Sequence, residues 1–228
     1  MIVPPDGWLR AMQEACRELD ILFVVDEVIT AFGRTGPMFA CEREGVAPDL
    51  MTIAKGLTSG YVPMGAVLMS ERVYAGIADG AGAEQVGHGF TYSAHPVSAA
   101  AGLAALELYT GGLIENGTRM GERLMTGLTE LEAHPLVGQA RGRGMLAALE
   151  LVRDKGRREK FDPALKIGGR LFARAYANGL IIRAFADGVL GFAPPLCCSE
   201  VDVDLILERT RRTLDDVLAV PEVRSALR

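Results

Sequence analysis

Hydrophobic and polar positions change period along this chain, and the changes lay out its elements. Over residues 8–19, Leu9, Met12, Ala15, Cys16 and Leu19 recur at helical spacing with Arg10, Gln13, Glu14, Arg17 and Glu18 between them, which predicts an amphipathic helix. Ile21-Leu22-Phe23-Val24-Val25 is then continuously apolar, the pattern of a strand covered on both faces of a parallel sheet. Residues 50–54 and 62–69 read as two further strands of a larger, mostly parallel sheet, separated from the first by the loop Gly33-Arg34-Thr35-Gly36-Pro37. A short helix is expected at 70–77 with Ser70 as its cap, then a Gly/Ala-rich excursion at 79–87 and a small-residue helix at 97–108.

Gly111-Gly112 is the best internal boundary and divides the chain into residues 1–111 and 112–228. Beyond it the pattern predicts a long amphipathic helix at 113–133, strands at 137–140, 145–151, 180–185 and 189–193, and helices at 163–178 and 199–217. Asn178-Gly179 is a helix stop, and Ser199 with Asp202 resembles a capping box. Residues 153–160 form a charged loop, expected to be exposed. The fold class is therefore α/β.

Composition narrows the partners. The chain has 228 residues, 49% of them hydrophobic, enough for a substantial core, and its formal charge of -5 gives no general electrostatic reason to bind nucleic acid or an anionic membrane. Small acids or amines fit better. Cys16, Cys41, Cys197 and Cys198 lack CxxC spacing, which argues against a disulfide framework or a zinc site and for a reducing compartment. No continuous apolar run approaches the ~18 residues of a membrane span, so a cytoplasmic location is expected.

The candidate chemistry centres on Ala54-Lys55-Gly56-Leu57-Thr58-Ser59-Gly60. A lysine released from a buried strand into a Gly/Ser/Thr turn suits an amine that forms an imine with an aldehyde cofactor, although most lysines in such turns are simply solvated. Asp26 stands at the end of the earlier strand. It can cap a helix or pair with an arginine; beside a pyridoxal ring it would keep the ring nitrogen protonated. Val28 is either ordinary core or a residue pressing on that ring. Thr91, ahead of the helix beginning near Pro96, is a cap or a phosphate ligand. His88 and His95 read as structural. Arg183, within an apolar stretch, calls for a protein carboxylate or a substrate carboxylate.

Taken together, Val25-Asp26-Glu27-Val28-Ile29-Thr30-Ala31-Phe32-Gly33-Arg34-Thr35-Gly36, Pro48-Asp49, Ala54-Lys55-Gly56-Leu57 and His88-Gly89-Phe90-Thr91-Tyr92-Ser93-Ala94-His95-Pro96 resemble the class III pyridoxal-phosphate aminotransferases. The Arg183 to Pro194-Pro195-Leu196 segment is most similar to the omega-aminotransferases that use amines with pyruvate. The resemblance implies fold type I, with a partial large domain and a small C-terminal α/β domain. It implies that Lys55 forms the internal aldimine with pyridoxal 5'-phosphate, that Asp26 holds the ring nitrogen and that Val28 covers one ring face. It implies that Phe90 and Thr91 bind the cofactor phosphate of a neighbouring subunit in a homodimer, and that Arg183 binds the substrate carboxylate and swings aside for neutral amines. Ala31 and Ala94 depart from the family's usual glycines. Family members are considerably longer, and the expectation is a C-terminal portion that begins partway through the large domain. Two rival readings follow: a non-catalytic fragment or binding module of the same fold, and the aminomutase that rearranges glutamate semialdehyde, which the Phe32-Gly33-Arg34-Thr35-Gly36 loop disfavours.

Overall fold

The structure, a computed structural model, describes residues 1–79 and 88–228. Of the excursion expected at 79–87, all but Asp79 lies outside the described residues. The chain divides into two compact units: Pro4–Ile114, and Glu115–Arg228 together with Met1–Val3.

In the first unit, helix α1 (Trp8–Glu18) matches its amphipathic pattern. The strand that follows is displaced from its expected position. Strand β1 is Val24–Asp26, because the Ile21 N–H turns back to Cys16 O and the Phe23 N–H donates to the Asp49 carboxylate at 2.8 Å. Only one face is covered: Val25 is buried, but Val24 is 53% exposed.

β1 pairs in parallel with β2 (Leu50–Ile53), and β2 pairs antiparallel with β3 (Ala66–Met69), giving the order β1-β2-β3. The expected mostly parallel sheet is thus mixed among the described residues. A parallel return needs a crossover, usually a helix. The link from Ala54 to Gly65 contains only the 3-10 turn Lys55–Thr58 and an irregular stretch, so the chain returns directly as an antiparallel strand. Helix α2 (Glu71–Ala78) is capped by Ser70, which accepts the Val73 N–H. Helix α3 (Pro96–Leu108) is capped by His95, whose Nδ1 accepts the Val97 N–H at 3.3 Å.

α3 presents Gly102 and Ala105 as buried positions and ends at buried Tyr109, where a π-helical turn, Tyr109–Leu113, kinks at Gly112. By length and composition alone the helical run Pro96–Ala133 would suffice to cross a membrane. Glu107 and the Gly112 kink interrupt it, and α3 packs its small-residue face on the Lys55 turn.

The second unit contains α4 (Ile114–Glu130), β4 (Val137–Arg143), β5 (Leu146–Leu151), α5 (Ile167–Ala177), β6 (Arg183–Ala184), β7 (Val189–Phe192), α6 (Glu200–Leu218) and α7 (Pro221–Ala226). Its sheet, in the order β4-β5-β7-β6, is antiparallel throughout. β6 is far shorter than the expected strand at 180–185. The Leu180 N–H closes the end of α5 on Ala175 O, and the Phe185 N–H closes a hairpin on Val189 O. Leu124, Leu128, Leu149, Leu171 and Leu214 are wholly buried, each such side chain contributing roughly 2 kcal/mol of hydrophobic stabilisation. Gly121 lets α4 approach the hairpin turn between β4 and β5: a Cβ there would lie 2.5 Å from the Gly144 carbonyl carbon. The Ser199–Asp202 capping box forms as expected, and the Ser199 N–H and hydroxyl hold the Asp202 carboxyl below the usual range.

Candidate active site

Two parallel strands bring the principal candidates to one edge. Asp26 ends β1 and pairs in register with Thr52 of β2; Lys55 lies three residues further along β2's path, just beyond Ile53. Both side chains therefore leave the carboxyl ends of adjacent parallel strands, where open α/β sheets place their ligands.

The Asp26 carboxylate accepts the Val28 N–H at 2.9 Å through Oδ1. That bond closes a short turn, leaves Val28 half-buried beside it and commits one oxygen only. Neither ordinary role is filled, since among the described residues no arginine pairs with Asp26 and it caps no helix. Glu27, next in the chain, is buried at 2% exposure. Its carboxylate accepts the Thr30 hydroxyl and, at 2.8 Å, the Cys41 N–H, tying both ends of the following loop to the strand end. Burial, reinforced by Glu27, pushes the Cys41 thiol up to about 11, so this cysteine stays neutral and structural.

Lys55 is exposed and opens its 3-10 turn with a left-handed backbone, φ +42°. Ser59, at φ +50°, closes the same turn. Among the described residues no carboxylate pairs with the Lys55 amine. The expected alternatives, a solvated lysine or a nucleophile, share this exposure.

Phe90 and Thr91 lie in the turn before α3 and are both exposed, Phe90 at 75%. The Phe90 N–H donates to Ser93 Oγ and the Ser93 N–H returns to Phe90 O, both at 2.9 Å. They share no hydrogen bond or ring contact with Asp26, Val28 or Lys55. Ala94, one of the two departures from the family pattern, adopts φ +56°, a left-handed conformation that glycine reaches without the Cβ clash.

Arg183 belongs to the second unit, on edge strand β6. Its guanidinium lies 5.2 Å from the Phe185 ring centroid, and no carboxylate among the described residues pairs with it. It borders a groove of about 1070 Å³ whose walls include Phe172, Ile181, Phe185, Leu205 and Arg209.

The donor set fits a pyridoxal cofactor. An accessible amine, a carboxylate with an uncommitted oxygen and a half-buried valine leave neighbouring strand ends, which matches an aldehyde, a protonated ring nitrogen and a ring face. Sequence reasoning missed Tyr109 and Phe32. Their rings stack with centroids 5.4 Å apart, and the Tyr109 hydroxyl donates to Gly56 O at 2.7 Å. The partners lie too far apart in sequence for any local pattern to announce the contact.

The family profile for class III aminotransferases matches residues 1–214. Diaminobutyrate–2-oxoglutarate transaminase from Halomonas elongata is 42% identical over 95% of this chain and 47% of its own length. Putrescine–pyruvate aminotransferase from Pseudomonas aeruginosa is 42% identical over 96% of this chain and 47% of its own length. The crystal structure of an (S)-enantioselective omega-transaminase from Thermomicrobium roseum superposes with a TM-score of 0.90 at 43% identity, covering 95% of this chain and 48% of that one. The chain thus spans about half the length of the curated relatives it matches. With Asp26 and Lys55 at paired strand ends inside the matched region, this chain belongs to the class III aminotransferases, a pyridoxal-phosphate-dependent family of fold type I.

Proposed function

We propose that this chain carries the chemistry of a transaminase that moves an amino group from an amine or omega-amino acid to an oxo acid such as pyruvate. The observation that supports it most is the parallel register of Asp26 with Thr52, which sets Asp26 and Lys55 at neighbouring strand ends. Bound pyridoxal phosphate supplies an aldehyde and an electron-withdrawing ring. Lys55 Nζ would hold the cofactor through its aldehyde and, when free, would take up the proton from the substrate carbon. The uncommitted oxygen of Asp26 would hold the proton on the ring nitrogen, and Val28 would cover one ring face. In a homodimer, Phe90 and Thr91 serve the phosphate of the neighbouring subunit's cofactor. Cys16, Cys41 and Cys197 are free thiols, in keeping with a reducing setting.

Arg183 receives the carboxylate of an amino or oxo acid in its planar fork. Its hold on Phe185 is a cation–π contact at an exposed site, worth roughly 0.5–1 kcal/mol, so the side chain is released at little cost when the substrate is a neutral amine. The two relatives act, by name, with diaminobutyrate and putrescine as donors and with 2-oxoglutarate and pyruvate as acceptors. The second reading is a binding module that holds the cofactor without turnover.

The test is amino transfer by the purified chain supplied with pyridoxal phosphate, a diamine, and pyruvate or 2-oxoglutarate. Transfer that Lys55→Ala abolishes is the expected result; a folded chain that takes up the cofactor and transfers nothing to either acceptor is the module. Arg183→Ala should lower kcat/KM for amino and oxo acids by about tenfold to a hundredfold, the loss of a charge-assisted bond, and spare simple amines. Equal losses for both substrate kinds contradict its carboxylate role.

A further inference from the structure

Two aromatic residues outside the proposed chemistry hold the turn that presents Lys55. Tyr109, buried at 4% exposure, donates its hydroxyl hydrogen to Gly56 O at 2.7 Å and lies 2.9 Å from Ser59 Oγ. A phenol has one proton. With that proton on the Gly56 carbonyl, the Ser59 hydroxyl must donate to Tyr109, so one oxygen links both ends of the turn. The Tyr109 ring stacks on Phe32 at an interplanar angle of 27°, and Phe32 in turn presses on Gly56, where a Cβ would lie 2.8 Å from Phe32 Cδ2. Gly56 is therefore fixed through its carbonyl and its α-carbon, immediately after Lys55.

The backbone here needs such support. Lys55 at φ +42°, Ser59 at φ +50° and Phe32 at φ +58° are side-chain-bearing residues in left-handed conformations within one contact cluster. Such conformations persist when the surroundings over-determine them. Tyr109 also falls where α3 gives way to the kink at Gly112, φ +113°.

We propose that Tyr109 is a positioning residue: together with Phe32 it locks the Gly56 peptide and so holds Lys55 in the backbone conformation from which its amine captures the cofactor aldehyde. The proposal rests on the reading of Lys55 as the covalent anchor.

The test compares the full chain with Tyr109→Phe, which keeps the ring and removes the donor. A control is Thr110→Ala, whose hydroxyl bonds back to Leu106 O and Glu107 O of its own helix. Amide hydrogen exchange at Leu57, Ser59, Gly60 and Tyr61 is expected to quicken about fivefold in Tyr109→Phe, in line with the loss of one hydrogen bond, and to stay unchanged in the control. Borohydride-trapped attachment of pyridoxal phosphate to Lys55 should slow several-fold, with the melting temperature close to that of the parent. Exchange at the turn equal to the control overturns the proposal. So does uniform quickening across residues 4–114 with a lowered melting temperature, the mark of ordinary core packing. Tyr109→Ala should enlarge the effect and extend it to Phe32; if it does not fold, Tyr109→Phe decides. Absence of any Lys55 adduct in the parent chain overturns the anchor reading, and exchange at the turn still decides whether Tyr109 holds it.

Discussion

Leu149 and Val67 are both aliphatic residues on strands, yet Leu149 has no solvent exposure and Val67 is 56% exposed. The contrast extends to their surroundings. The largest fully buried side chains all fall between Leu124 and Leu214, in the second unit. In the first unit the deepest groups include Glu27, Cys41 and Thr58, each at 2%, and these belong to the loops and turns around Asp26 and Lys55. Its sheet, by contrast, leaves Val24, Val67 and Met69 about half exposed on the face that Thr52 shares by register. The second unit holds the wholly buried aliphatic core, whereas the deepest groups of the first cluster around the Asp26 and Lys55 turns. Stability and chemistry should therefore respond to different substitutions.

The largest stability effect is expected in the second unit. Leu149→Ala should destabilise it by about 2–5 kcal/mol in denaturant unfolding, the cost of a cavity at a wholly buried leucine. Val67→Thr in the first unit should change stability by no more than about 0.5 kcal/mol, because that side chain is already half in water. A loss at Val67 as large as at Leu149 would break the comparison and mean that the exposed sheet face is covered in solution.

The smallest effect is a pH dependence confined to the second unit. The buried His134 accepts the Leu136 N–H through Nδ1 at 3.2 Å, while its Nε2 lies 3.3 Å from Asp215 Oδ1 without the alignment of a hydrogen bond. Burial holds the imidazole below its usual pKa; Asp215 acts in the opposite direction, and Lys155 and Arg211 add to the lowering. A group whose folded pKa is depressed takes its proton first in the unfolded chain as pH falls. The stability linked to neutral His134 is therefore full above the ordinary histidine pKa, near 6.5, and is lost as pH falls through that value. Unfolding of the parent chain should become easier between about pH 7 and about pH 5. His134→Asn, which keeps an acceptor for Leu136, should flatten that drop; an unchanged drop places its origin elsewhere.

Local patterns carried most of the helices. The apolar spacing over residues 8–19 and the capping signal at Ser199 and Asp202 correspond to α1 and α6 within a residue or so, because those signals act within a few residues of chain. Strands were less legible. β1 starts three residues late because Asp49, 26 residues away, takes the Phe23 N–H, and β3 runs antiparallel because its connection contains no crossover helix. Within the site, Asp26 and Lys55 were readable as residues at apolar strand ends. Tyr109 was not: its hydrogen bond to Gly56 spans 53 residues, beyond the reach of any local pattern. It stands where α3 gives way to the kink at Gly112, φ +113°.

The central claim, that Lys55 is the amine that takes the cofactor, is tested most directly by mass mapping. The chain is incubated with pyridoxal phosphate, reduced with borohydride and digested. Added pyridoxyl mass is expected on the peptide containing Lys55 and is expected to be absent in Lys55→Ala. Label missing from that peptide in a folded sample, or found instead on Lys155, Lys160 or Lys166, would contradict it.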